Sequence, residues 1–419
     1  MKHRTTHLLL VKCTNILFFM VNVAFSRSKH INKVCIRDQR HQDIQEYKSE
    51  RDGDTPLLWL CKHDNNDIVQ LLIEKGADVN VSNKNGETPL IISCENNNSD
   101  IVRLLIEKGA DVNVSNKKGE TPLMLSCENN NSDIVRLLIE KGADVNVANK
   151  NGEIPLLISC HNNNSDNIQL LIEKGADVNV ANKDGVTPLM FSCQNNNSDN
   201  VRLLIEKGAD VNVANKYGVT PLMFSCQNNN SDIVRLLIEK GADVNVANKY
   251  GRTPLMFSGH NNNSDNVRLL IEKGADIHKS DGKGDTLLLW LCKHYNSDIV
   301  RSDGDRVNRL KHYNSGILQL LIEKGADVNV ANKDGKTPLL ISCENNKSDI
   351  VRLLIERGAD ANKSDGDGDT PFMWSCKHDN SDIVRLLIEK GADINKSERD
   401  GDTLCCGYVN ITTLLLSDY

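Results

Sequence analysis

One period governs this chain. A Thr-Pro-Leu motif or a variant of it begins at Thr55, Thr88, Thr121, Ile154, Thr187, Thr220, Thr253 and Thr286, each 33 residues after the last, and resumes at Thr337, Thr370 and Thr403. The 51-residue gap between Thr286 and Thr337 exceeds the period by 18, so one unit carries an insertion of that length. The block Leu-Leu-Ile-Glu-Lys-Gly-Ala-Asp occurs nine times, and a tenth copy from Leu353 has Arg for Lys. Ten units are therefore complete and an eleventh is not. A fixed period of about 20 to 50 residues replaces the logic of a globular core with that of stacked neighbours. The 419 residues thus divide into small repeated units, where length alone suggests two or three domains.

The unit from Asp184 to Asn215 shows what each copy folds into. Pro188 suits a first helical turn, where its missing N–H would have no partner in any case. Leu189, Met190, Phe191 and Cys193 then make a short apolar helix. Asn195 to Asn197 break it, because Asn tolerates left-handed backbone, and Ser198 or Asp199 is expected to cap a second helix. Val201, Leu203, Leu204 and Ile205 form the apolar face of that helix, Lys207 complements the dipole at its end, and Gly208 supplies a left-handed cap. Ala209 to Gly218 reads as an extended loop with a turn at Tyr217 and Gly218. Helices of about two and three turns cannot bury an apolar face alone. The expected fold is all-α, a solenoid of helix-loop-helix repeats with short β-turn fingers.

A 33-residue unit that opens on Gly-Xaa-Thr-Pro-Leu and closes on Leu-Leu-Ile-Glu-Lys-Gly-Ala-Asp-Val-Asn resembles the ankyrin repeat, in an array placed at residues 49–402. The resemblance implies a non-enzymatic scaffold that binds a protein through turn tips and first helices on a concave face. Two departures stand out. The His that usually follows Thr-Pro-Leu is apolar throughout (Leu58, Ile91, Met124, Leu157, Met190, Met223, Met256, Leu289, Leu340 and Met373), and the usual Ala pair is mainly Ser-Cys. The family's His-mediated hydrogen bonds are accordingly expected to be missing, with apolar packing in their place.

Composition narrows the function classes. Acidic residues outnumber basic ones by 57 to 50, for a net charge of −7, which disfavours a binder of phosphate backbones, so no nucleic acid is expected. Nine of the thirteen cysteines share one repeat position: Cys61, Cys94, Cys127, Cys160, Cys193, Cys226, Cys292, Cys343 and Cys376. Stacked helices lie roughly 8 to 10 Å apart, too far for disulfides between them. No second zinc ligand accompanies each Cys, so small buried side chains in a reducing compartment are expected, and with them a cytoplasmic location. Gly335 to Thr337 resembles the end of a phosphate-binding loop, but Val330 stands where that loop needs glycine. Asp365, Asp367 and Asp369 are spaced like a calcium loop, but Thr370 and Cys376 replace its glycine and terminal Glu. No catalytic residue, cofactor or metal ligand is expected.

In a near-identical array, positions that differ between copies are the candidates for specificity. Tyr217 and Tyr250 occupy adjacent turn tips, flanked by Val186, Val219 and Arg252, with Gln194, Gln227 and His260 on the first helices. Exposed Tyr, Val and Arg on neighbouring fingers suit a protein contact better than the acidic tips Glu87, Glu120 and Glu153. Trp59, Trp290 and Trp374 are followed by Lys-His pairs, and these tryptophans are expected in the core.

The remaining segments are less regular. The insertion, near 297–314, repeats its own flank, since Lys-His-Tyr-Asn-Ser at Lys293 recurs at Lys311, and it reads as a looped-out remnant that divides seven repeats from the last three. Residues 403–419 read as a degenerate C-terminal cap. Residues 1–48 hold nine Lys/Arg and three Asp/Glu, leaving −13 for the rest of the chain. An irregular cap, a signal sequence and a membrane anchor are the readings for this leader, and a membrane would be met only through residues 8–25. The leading expectation is a monomeric protein-binding scaffold. A membrane-tethered or secreted array, and a structural spacer without a defined partner, are the alternatives.

Overall fold

The computed structural model of the chain describes residues 52–63, 66–228, 230–294 and 316–394. The leader 1–48, the insertion near 297–314 and the cap 403–419 lie outside the described residues. Those described fall into two compact units, one ending at Lys183 and the other beginning at Asp184.

Nine of the ten complete repeats pair a seven-residue helix with a nine-residue one, such as Pro188–Gln194 and Ser198–Glu206, while the first helix of the eighth, Leu287–His294, has eight residues. Pro opens the first helix, and the hydroxyl of Thr187 caps it by accepting from Met190 N at 3.4 Å. The same cap recurs in the other repeats with Thr, while Ile154 of the fourth repeat makes none. Asn196 turns the chain with φ of 59°, as its tolerance of left-handed backbone predicts. The cap of the second helix differs from expectation. Asn197, with its non-helical backbone, accepts from Asn200 N at 3.1 Å, whereas Ser198 already lies inside the helix and Asp199 contributes only first-turn charge. Gly208, at φ of 89°, closes the helix.

Leu189, Met190, Cys193, Val201 and Leu204 are fully buried, while Leu203 and Ile205 are half-buried. The apolar residues that stand where ankyrin repeats have His are buried in every repeat, from Leu58 to Met373. Within the second unit, Pro188–Gln194 packs on Pro221–Gln227, that helix on Pro254–His260, and that one on Leu287–His294. The first unit stacks Pro56–Lys62, Pro89–Glu95, Pro122–Glu128 and Pro155–His161 in the same way.

Hydrogen bonds also tie the repeats together, through groups the sequence does not flag. Successive fingertips join by backbone bonds, such as Lys117 N to Asn85 O at 2.7 Å and Lys249 N to Tyr217 O at 2.9 Å. The Asn that ends each Val-Asn pair bridges forward: Asn113 Nδ2 donates to Gly142 O at 3.0 Å, and Asp144 N donates to Asn113 Oδ1 at 2.9 Å. Asn80, Asn146, Asn212, Asn245, Asn329 and Asn362 form the same rung. A third set runs from Asn129 and Asn228 to the carbonyls of Cys94 and Cys193. Asparagine and backbone thus couple the repeats to one another although no His follows the Thr-Pro-Leu motif.

Candidate protein-binding surface

The sixth and seventh fingers are built alike. Asn215 Oδ1 accepts from Tyr217 N at 2.9 Å and Val219 N at 3.0 Å, which folds the tip back on itself. Gly218 has φ of 77°, and a Cβ there would meet the Asn248 and Lys249 backbones at 3.0 Å, so only glycine fits. The result lifts Tyr217 into solvent at 46% exposure. Asn248 Oδ1 folds the next tip by accepting from Tyr250 N and Arg252 N, both at 2.9 Å, and Tyr250 is 62% exposed. Lys216 Nζ bonds Asp184 Oδ1 at 2.6 Å and lies 4.9 Å from the centre of the Tyr217 ring. Val186 and Val219 are half-buried, and Arg252 is exposed.

The first helices of the same repeats carry a second row. Gln194 and Gln227 are exposed and His260 is half-buried, on helices packed side by side. The His260 ring stacks on Trp290 at 3.9 Å, and Trp290 meets His294 at 4.4 Å. Burial pushes the His260 imidazole down to about 4, with Arg252 and His294 adding to the effect and Asp281 opposing it, so it is uncharged at neutral pH. The tryptophans are not core residues. Trp59, Trp290 and Trp374 are half-buried, at a helix position that buries Ile92 and Leu125 but leaves Ile158 half-buried too, and Trp59 stacks there on His63 at 4.0 Å.

Phe191, Phe224 and Phe257 occupy that same helix position and are half-buried too. The sequence places Phe191 in a short apolar helix without singling out this row, although the clustering of aromatics is countable. Of the nine aromatic residues among those described, six (Phe191, Tyr217, Phe224, Tyr250, Phe257 and Trp290) fall in four consecutive repeats. The structure brings all the candidate residues onto the fingers and first helices of repeats five to seven, with Trp290 continuing the row into the eighth.

A family model of ankyrin repeats, three copies long, matches residues 20–116, 61–149, 108–182, 189–281 and 310–398, most of the chain. The chain belongs to the ankyrin repeat family. Ankyrin repeats are in general protein-protein interaction modules and are typically non-enzymatic. No curated relative matches the sequence.

The cysteines of this ankyrin array are placed for packing. Those at the shared position are buried, except Cys376, which is half-buried. Burial pushes the thiols of Cys94, Cys127, Cys193, Cys226, Cys292 and Cys343 up to about 12, leaving almost no thiolate for reaction. Asp365 Oδ1 accepts from Asp367 N at 3.1 Å and Asp369 N at 3.0 Å, the same folded tip seen in the other fingers. Among the described residues, no helix is long and apolar enough to cross a membrane.

Proposed function

We propose that this ankyrin array is a non-enzymatic scaffold that holds a protein partner on the turn tips and first helices of repeats five to seven, the concave face in this family. It acts as a monomer in the cytoplasm, a reducing compartment that suits a row of cysteines with no disulfide among the described residues. The observation that carries the binding role is the gathering of six of nine aromatics into four adjacent repeats, two of them on exposed fingertips. Interface centres are enriched in Tyr, Trp and Arg, and the aromatic side chains among them add large contact area at low conformational-entropy cost. Tyr217, Tyr250 and Arg252 would be the anchors, with Val186, Val219, Gln194, Gln227 and His260 around them. A pure spacer has no use for distinctive residues confined to one stretch. Affinity purification with mass spectrometry, comparing the full chain with the Tyr217→Ala/Tyr250→Ala variant, tests the reading. Loss of more than about tenfold in captured partner with an unchanged fold is expected, and unchanged capture would sink it.

A further inference from the structure

Two positions change charge from copy to copy on the face formed by fingers and first helices, beside a lysine that recurs in most fingers, such as Lys117, Lys150 and Lys249. One is the residue before the capping Thr; the other is the last residue of the first helix. Every complete repeat outside the fifth to seventh has an acid at one or both: Asp54, Glu87, Glu120, Glu153, Asp285, Glu344 and Asp369 supply it. Repeats five, six and seven have none, carrying Val186 with Gln194, Val219 with Gln227, and Arg252 with His260. This break coincides with the aromatic row. Of the cations there, Lys216 is matched by Asp184 at 2.6 Å, whereas Lys249 and Arg252 are exposed and make no ion pair among the described residues. An array bearing −13 outside its leader thus has one stretch where apolar rings and unmatched positive charge lie together.

We infer that the partner segment held by repeats five to seven is an extended, acidic peptide with apolar side chains, its carboxylates meeting Lys249 and Arg252 and its apolar groups resting on Tyr217, Tyr250 and the phenylalanine row. The inference rests on the scaffold reading and adds the partner's chemistry to it. Charge complementarity selects the site, because the acidic positions of the other repeats repel such a segment while this stretch attracts it. Repeats at roughly 9 Å spacing give a face about 30 Å long from the fifth to the eighth, which about nine or ten extended residues span. The uncharged His260 keeps the helix row apolar between the cations and Trp290.

The test uses the full chain and two fluorescein-labelled peptides of about ten residues, sized to that span. In one, Asp alternates with Leu and Phe; in the other, Lys replaces every Asp. Fluorescence anisotropy should show the Asp peptide binding more than about tenfold tighter than the Lys peptide at low salt, with the difference shrinking as salt screens it. Lys249→Glu/Arg252→Glu should remove that preference, and Tyr217→Ala/Tyr250→Ala should weaken the Asp peptide while leaving the sign of the preference intact. Equal binding of both peptides, binding of neither, or an Asp peptide indifferent to charge reversal would overturn the inference. A Lys peptide that binds tighter and is lost with the tyrosines would overturn the acidic character alone, leaving the face itself as a binding surface.

Discussion

Gly259 stands where the other nine complete repeats have cysteine, and the reason lies one repeat further on. Leu287 opens the eighth first helix in place of the proline found in the other nine, and it is 1% exposed. A Cβ at position 259 would meet Leu287 Cδ2 at 2.7 Å and Cγ at 3.0 Å, so the larger leucine occupies the room that a cysteine side chain takes elsewhere. Gly259→Cys alone should therefore destabilise the protein by about 1 to 3 kcal/mol, as overpacking does. Combining it with Leu287→Pro, which recreates the pairing of the other repeats, should recover most of that loss. Chemical denaturation of the two single variants and the double variant measures the coupling, and strictly additive effects would contradict the fit. The two exceptions were visible as separate oddities in the sequence, but only the stacking shows that one accommodates the other.

At the scale of the element, the asparagine rungs explain how repeats hold together without the family's histidine. His278 replaces the bridging Asn of the seventh repeat and makes no bond to Gly325 or Asp327 among the described residues, the partners its place in the ladder would reach. His278→Asn should restore the rung and raise stability by about 1 kcal/mol, a typical net value for exposed hydrogen bonds of this kind. Equilibrium unfolding in urea would show it as a higher midpoint; a lower or unchanged midpoint would count against the ladder's role. The helices themselves were legible, since Pro188, the Asn triplet and Gly208 mark their limits by backbone preference alone. The cap at Asn197 was not, because Asn, Ser and Asp all suit that role and only the backbone direction chooses among them. The phenylalanine row escaped for a related reason: a short helix that is apolar on most positions does not reveal which one faces out.

For the whole molecule, repetition separates stability from recognition. Stability in a solenoid is close to a sum over repeats and their neighbouring interfaces, so a few positions can vary while stacking persists. Buried residues such as Met190, Met223 and Met256 stay alike, whereas fingertips change from Asn151 to Tyr217 and Tyr250. The aromatic row lies wholly within the unit that begins at Asp184. The central claim is that a protein partner occupies the fingers and first helices there. The most direct measurement is photocrosslinking in cells with benzoylphenylalanine placed at position 224 and, in parallel, at position 235, the exposed Arg of the second helix Ser231–Glu239. A discrete crosslinked protein from position 224 and none from position 235 is the predicted result. The same product from 235 with nothing from 224 would contradict the account.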